Sequence, residues 1–300
     1  MKKFSNNDNN LKLSTQFLNF LKKNETKSLF KPVRYKFPRR KVKAYFPFQT
    51  AMCDTINMRH SGPQNKNYKY IMVFIDVFSK MGYVSPMRRM NEIAAVGAMQ
   101  NIFDKLPIIP QNIVTDRGTE FYNSKMKGLF TQLDINHYSL RGPHKAANAE
   151  RFIRTIKEKL EKHFWATKSH KWITVLPDII KKYNNSFHRA IKMSPNEVTD
   201  ENRSLVFKRL YPKRSKHSKP RLAIGDLVRV RKSKHIFEKG YTRNWSLEIY
   251  KVIDARIEQN VDFYRIADLE GHVTREYKYF WELNRIAKHD SKFLESTERE

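Results

Sequence analysis

Apolar residues recur along the middle of the chain in short runs, and their spacing alternates between strand-like and helix-like. The segments FQTAMCDTINM, YKYIMVFIDVF and MGYVSPM are short, rich in apolar residues and bounded by turn formers, so each predicts a strand. Over about 91–106 the apolar residues recur at helical spacing, which predicts a helix. QNIVTD and INHYSL predict two more strands, and helices are predicted over 123–133, 147–167 and 172–187. This order indicates an α/β fold, a mixed sheet covered by helices on both faces.

The last third of the chain has a different pattern. Residues 202–221 are charged, contain two prolines and lack a clear period at their end, which is typical of a linker. Beyond them, four short alternating segments predict a small all-β barrel of SH3 size. The predicted organisation therefore begins with a basic amino-terminal helix and arm (1–45) and an α/β core (46–200). A basic linker (201–221), a β-barrel (222–286) and a flexible tail (287–300) follow.

The net charge of the chain indicates which class of molecule it binds. The chain has 59 Lys and Arg against 30 acids, a net charge of +29 and a pI near 10.1. Such an excess predicts a polyanionic partner, and nucleic acid is the usual one, although a basic binding protein without catalysis would share the charge. The absence of a long apolar run or an apolar leader, with a single Cys, predicts a soluble intracellular protein with no disulfide, Cys-based zinc site or membrane partner.

Three carboxylates stand at positions that suggest chemistry. Asp54 lies in the first predicted strand, Asp116 directly follows the fourth, and Glu150 lies in the first turn of the long helix. If the first and fourth strands are neighbours, all three converge at one sheet edge. Carboxylates so close repel unless cations neutralise them, and such oxygen ligands suit Mg²⁺ or Mn²⁺. Two such ions about 4 Å apart would clamp a phosphodiester, which points to phosphoryl transfer.

The same residues resemble a known family. CDTINM, VTDRGTEF, KAANAERFIRTIKEKL and NNSFHRAIKMSPNEV are similar to the DDE integrase core of retroviruses, LTR retrotransposons and, most closely, Maverick/Polinton-type transposons, and the similarity covers roughly 30–286. The resemblance implies an RNase H-like core in which Asp54, Asp116 and Glu150 hold two Mg²⁺ ions per active site, with Mn²⁺ as a substitute. It also implies 3′-end processing and strand transfer of element DNA into target double-stranded DNA, by a homodimer or homotetramer.

Basic residues are candidate DNA contacts in four places. Arg154 and Lys157 follow Glu150 by one and two helical turns, where family members hold DNA ends; the alternative is a helical ion pair between Glu150 and Arg154. The loop RGPHKAAN suits a flap near substrate or an ordinary surface loop. In the barrel, strand alternation predicts Arg229 and Arg231 on one solvent face. The complete predicted set is Arg154, Lys157, Arg141, Lys145, Arg229, Arg231, Lys232, Arg39 and Arg40.

Other polar residues near these motifs receive structural interpretations. Asp76, with Ser79 and Lys80 after it, is predicted to cap a turn. Cys53 is expected to be buried on the sheet face opposite Asp54. Glu120 is a candidate for orienting a water molecule beside the metals. The segment YPKRSKHSKPR is a candidate nuclear import signal, which predicts a nuclear protein.

The leading hypothesis is therefore an integrase. Two others remain open: a catalytically silent, integrase-derived DNA- or chromatin-binding protein, and a nuclease of the same fold that cuts without joining.

Overall fold

The computed structural model describes residues 25–35, 37–140, 147–212, 219–233 and 242–287. The chain forms two compact units. The first, called the core unit here, comprises Val42–Lys213. The second, the arm–barrel unit, combines Met1–Lys41 with Arg214–Glu300.

The core unit contains the predicted mixed sheet. Its strands are β1 (Thr50–Asn57), β2 (Tyr70–Asp76), β3 (Gly82–Met87), β4 (Asn112–Thr115) and β5 (Asn136–Ser139). Their spatial order is β3-β2-β1-β4-β5, with β1, β2 and β3 antiparallel and with β4 parallel to both β1 and β5. The predicted five strands are confirmed, and β1 and β4 are indeed neighbours.

Side-chain alternation explains how the sheet is covered on both faces. Every residue of β2 is buried, as its continuous apolar run requires. Along β1, Met52 and Ile56 enter one hydrophobic cluster, whereas Ala51 and Cys53 enter the cluster on the other face. The predicted burial of Cys53 is thus confirmed, and burial raises the pKa of its thiol.

Helices cover the two faces separately. On the Cys53 face lie α1 (Glu92–Phe103) and α2 (Ser124–Gln132), whose first turns are capped by the Asn91 and Asn123 side chains. The Met52 face is covered by α3 (Ala147–Thr167), α4 (Leu176–Asn184) and α5 (Arg203–Leu210). The α3 residues Phe152, Ile156, Leu160 and Phe164 recur at helical spacing and are all buried in this core.

The predicted linker is wrong over Arg203–Leu210, which forms α5. Val206 and Leu210 are buried in the core on the Met52 face, four residues apart and therefore on one side of the helix. The core unit consequently extends well past 200. It also begins before 46, because Ala44 is buried and its backbone N–H donates to Tyr211 Oη at 3.0 Å.

The arm–barrel unit contains a second, antiparallel sheet. Its strands are β6 (Leu227–Val230), β7 (Tyr250–Glu258), β8 (Val261–Asp268), β9 (Lys278–Tyr279) and β10 (Leu283–Ala287), in the order β10-β6-β7-β8-β9. This all-β sheet is consistent with the predicted SH3-like domain.

The amino-terminal arm is part of this second unit instead of a segment of its own. Residues 25–30 are helical, and 31–35 and 37–41 run without regular structure. Trp245 Nε1 donates to Lys31 O at 2.8 Å, and Arg40 Nη1 lies 2.8 Å from Glu258 Oε2. The helix predicted at 13–24 lies outside the described residues, as does 288–300 of the predicted tail. In the described parts of the chain, we find no helix with the length and apolar character needed to span a bilayer.

Candidate active site

Asp54 lies in β1, and Asp116 directly follows β4, the strand that runs parallel to β1. Thr50, Ala51 and Met52 of β1 lie opposite Asn112, Ile113 and Val114 of β4. Asp54 and Asp116 each stand two residues beyond the Met52–Val114 pair. Since side chains two residues apart share a face, both carboxylates belong to the face of Met52 and Val114, which α3 covers.

The first turn of α3 lies against this strand pair. Ala149 and Phe152 are buried in the same core as Met52 and Val114. The Asn148 Nδ2 amide lies 3.6 Å from Met52 Sδ, so this turn reaches β1 two residues before Asp54. Glu150 lies in that turn and its side chain is exposed. The structure therefore brings the three predicted carboxylates to one region of the core unit.

The neighbouring acids affect the pKa of Asp54. Burial, together with the negative charges of Asp116, Glu120 and Glu150, raises the pKa of Asp54 to about 6. The backbone N–H of Thr55, which donates to Asp54 Oδ1 at 2.7 Å, opposes part of this shift. Ionised Asp54 thus lies in a region of surplus negative charge, where a cation would be stabilised.

The three carboxylates are not in mutual contact. Among the residues that the structure describes, the ligand atoms of only one acidic group lie within 4.8 Å of one another, and that group is Asp268, Glu270 and His272. It forms an exposed turn after β8, in which Asp268 Oδ1 accepts from the Glu270 and His272 backbone N–H groups.

Glu120 is a fourth acid whose position the sequence indicated only weakly. Its side chain is 8% exposed, and its charge contributes to the raised pKa of Asp54. A Cβ on Gly118 would lie 2.3 Å from Glu120 Oε2, so the glycine of the D-x-G-x-E motif makes room for this carboxylate. The motif spacing is the signal that identifies it. Its predicted role in orienting water stays a prediction.

The turn after β2 contains the predicted cap and an unpredicted cation. Asp76 is buried and accepts from Ser79 N at 2.7 Å, Ser79 Oγ at 2.6 Å and Phe48 N at 3.0 Å, which confirms the turn-capping role. Lys80 is also buried, and its ammonium donates to Val77 O and to Asn148 Oδ1. Sequence spacing gave no signal for this contact, because Lys80 and Asn148 are far apart in the chain.

The predicted DNA contacts on α3 face solvent. Arg154 and Lys157 are exposed, and in the part of the chain that the structure describes no ion pair joins Arg154 to Glu150. The alternative of a helical salt bridge is therefore not realised here. Arg141 and Lys145 lie outside the described residues.

Arg229 contradicts the prediction of a basic solvent face on the barrel. Its side chain is only 2% exposed; it donates to Ser28 Oγ and to the carbonyls of Ser246 and Leu247. The helical residues 25–30 supply Ser28 and thus cover this face of β6. Alternation correctly distinguishes the two faces of a strand, but it cannot show that a remote segment packs on one of them.

The remaining predicted cations differ in accessibility. Arg231 is half-buried and lies 3.8 Å from Glu282, with Tyr35 and Phe37 beneath its guanidinium. Lys232 is exposed. Arg39 stacks on Phe37, and Arg40 both pairs with Glu258 and stacks on Phe263. In Arg231 and Arg40, ion pairs and aromatic contacts already engage the guanidinium.

Comparison with known proteins finds a family that matches part of the core unit. Residues 45–143 match the integrase core domain family, a span that includes Asp54 and Asp116. The core unit therefore contains an integrase core domain, which supports the predicted DDE-type integrase. The special closeness to Maverick/Polinton integrases stays a prediction.

Proteins similar to this chain include mobile-element and viral proteins. An uncharacterised transposon-derived protein of Caenorhabditis elegans is 29% identical over 186 residues, which are 62% of this chain and 63% of that protein. The Gag-Pol polyprotein of gibbon ape leukemia virus is 34% identical over 141 residues, 45% of this chain and 8% of the polyprotein. The chain therefore spans less than two thirds of the length of either relative.

The integrase fold also appears in a solved structure. A chain of the simian T-cell lymphotropic virus intasome, in complex with the PP2A regulatory subunit B56 gamma, aligns over 92% of each chain with a TM-score of 0.60 and 16% identity. This likeness confirms the predicted fold class.

Proposed function

We propose that this protein is an integrase that processes the 3′ ends of mobile-element DNA and transfers them into target DNA. The observation that carries the proposal is the placement of Asp54 in β1 and of Asp116 directly after the parallel neighbour β4, where the charges of Asp116 and Glu150 both act on Asp54. The integrase core domain supports the same reaction class, polynucleotidyl transfer.

The donor set suits divalent metal. Asp54, Asp116 and Glu150 supply only carboxylate oxygens, which Mg²⁺ prefers and Mn²⁺ also accepts. We propose two ions, one held by Asp54 with Asp116 and one by Asp54 with Glu150. When bound, such ions activate water or a 3′-hydroxyl and stabilise charge on the phosphate. The surplus negative charge that raises the pKa of Asp54 supports this proposal.

Double-stranded DNA is the proposed substrate, as element end and as target. The net charge of +29 favours it, and Arg154 and Lys157 are exposed on the α3 face that contains Glu150. Such contacts would hold the phosphates near the carboxylates without reading sequence.

Assembly and location complete the proposal. A reaction on two DNA ends needs two active sites, which supports a dimer or a tetramer. Insertion into a genome places the protein in the nucleus.

The test is a strand-transfer assay with labelled duplexes that carry candidate element ends, in Mg²⁺ and in Mn²⁺. Wild type should shorten the 3′ strand and join it to target DNA, whereas Asp116→Asn should form no product while binding DNA as wild type does. Asp134→Asn is the matched control, because Asp134 is exposed, belongs to the core unit and has a left-handed backbone that Asn tolerates.

Each other outcome favours a different function. Activity retained by Asp116→Asn would refute the carboxylate site. Cleavage without joining would indicate a nuclease, and DNA binding without Mn²⁺ binding or cleavage would indicate the silent binding protein.

A further inference from the structure

The arm–barrel unit contains a cavity of about 410 Å³ that the carboxylate site does not use. Its described lining comes from the arm at Lys31, Pro32 and Arg34, from Trp245, and from β10 and the residues before it, including Phe280 and Trp281. Its volume lies in the range typical of small-ligand sites.

Among the described residues that line this cavity there are four cations and no acid, and the cations are Lys31, Arg34, Arg221 and Arg285. All four are exposed. Buried acids next to the cavity position two of them, because Arg221 lies 3.4 Å from Asp262 and Arg285 lies 3.5 Å from Asp226. Positive charge gathered at a concave surface attracts an anion.

Aromatic rings form the rest of the wall. The guanidinium of Arg34 lies 4.5 Å from the Trp281 ring centroid, and that of Arg221 lies 4.8 Å from Phe280 and 5.5 Å from Trp281. Stacking on these rings orients the planes of both guanidiniums, which lie at the cavity wall with the rings. Phe280 and Trp281 are half-buried, so part of each ring is accessible.

We propose that this cavity binds one phosphorylated nucleotide of an unpaired DNA strand. The base would stack on the wall of Trp281 and the guanidiniums, and the phosphate would lie among the four cations. An acidic peptide would satisfy the cations but would leave the aromatic wall without a planar partner. The proposal does not depend on catalysis, because the lining residues all belong to the arm–barrel unit and the carboxylates to the core unit.

The test is fluorescence anisotropy with a labelled five-residue oligothymidylate and an abasic strand of equal length, on the full chain in low salt with EDTA. Wild type should bind the oligothymidylate on the order of tenfold more tightly than the abasic strand. Trp281→Ala should abolish that difference, and Trp281→Phe should keep most of it. Arg34→Ala should weaken both strands. Arg275→Ala, an exposed arginine of the same unit outside the cavity, should change neither.

Several results would overturn the proposal. Equal binding of the two strands by wild type would show that phosphate alone is bound, and displacement by an acidic peptide but not by oligothymidylate would show a protein-binding surface. Thymidine monophosphate that binds as tightly as the strand would exclude a strand site. If Trp281→Ala fails to fold, as judged by circular dichroism, unchanged binding of both strands by Arg34→Ala refutes the proposal. Asp116→Asn should bind both strands as wild type does, so a failure here is independent of the proposed integrase activity.

Discussion

The Lys80 ammonium donates a hydrogen bond to Asn148 Oδ1 at 3.0 Å, and the same Asn148 side chain contacts Met52 Sδ through its amide nitrogen. One amide therefore connects the turn after β2, strand β1 and the first turn of α3. Glu150 follows Asn148 by two residues, so this contact positions the third carboxylate relative to Asp54.

Asn148→Ala should reduce both stability and activity. The change deprives the buried Lys80 ammonium of an acceptor, which should cost about 1–3 kcal/mol of unfolding free energy in urea titrations. Strand transfer should fall further than stability explains, because the start of α3 loses its contacts with Lys80 and Met52. Asn101→Ala, on the exposed side of α1, is the control and should leave both unchanged. A stable, fully active Asn148→Ala protein would contradict this positioning role.

Asp54→Asn should stabilise the metal-free protein at pH 7 while abolishing activity. The pKa of Asp54 rises from 3.8 to about 6 on folding, so the folded state disfavours the ionised form. The neutral amide should therefore melt a few degrees higher than wild type above pH 6, and the gap should shrink as pH falls from 6 to 3.8. Thermal melts in EDTA, with Asp134→Asn as the control, measure the difference in melting temperature. A lower melting temperature for Asp54→Asn than for wild type at pH 7 would show that the surplus charge is compensated.

Replacing Arg154 and Lys157 together by Ala should weaken DNA binding at all sequences. Each lost phosphate contact reduces the steepness of the plot of log affinity against log salt concentration by roughly one. The steepness measured for the double variant should therefore be lower by about two. The double variant of Lys181 and Lys182 on α4, both exposed, removes the same charge elsewhere in the core unit. Equal losses in the two double variants would mean that net charge alone binds DNA.

Arg229→Ala should destabilise the arm–barrel unit instead of altering DNA affinity. The guanidinium is buried and donates to Ser28, Ser246 and Leu247, so its removal should cost about 3 kcal/mol. Arg231→Ala should cost under about 1 kcal/mol because its ion pair is partly solvated. Urea titration of both variants decides this; a stable Arg229→Ala protein with weakened DNA binding would restore the solvent-face interpretation.

Protonation of His188 should destabilise the fold in acid. Burial, with the charges of Lys80 and Arg151, lowers the pKa of His188 from 6.5 to about 4. The unfolded chain therefore binds a proton that the folded chain excludes between these values, and stability should fall as pH drops from 6.5 towards 4. His188→Gln should flatten that part of the stability–pH profile measured by urea titration. An identical profile in the variant would assign the acid sensitivity to other groups.

The core sheet and its three candidate carboxylates were predictable because their signals are local. β2 is a continuous apolar run, and Asp54, Asp116 and Glu150 each stand at a fixed distance from such a run or from a helix start. The pairing of β1 with β4 was only a condition of that argument, and the structure supplied it. Helix α5 escaped prediction because basic residues surround the short apolar pair Val206 and Leu210.

Residue order by itself determined the type of each core element except α5, and it placed acids at strand and helix ends, since hydrophobic spacing and chain position decide both. Only the tertiary structure decided which side chains meet across long stretches of chain: Lys80 with Asn148, and Arg229 with Ser28 of the arm. The reason is physical. A strand or helix presents a face according to its own period, but whether water, DNA or another segment covers that face depends on packing between residues that are distant in sequence.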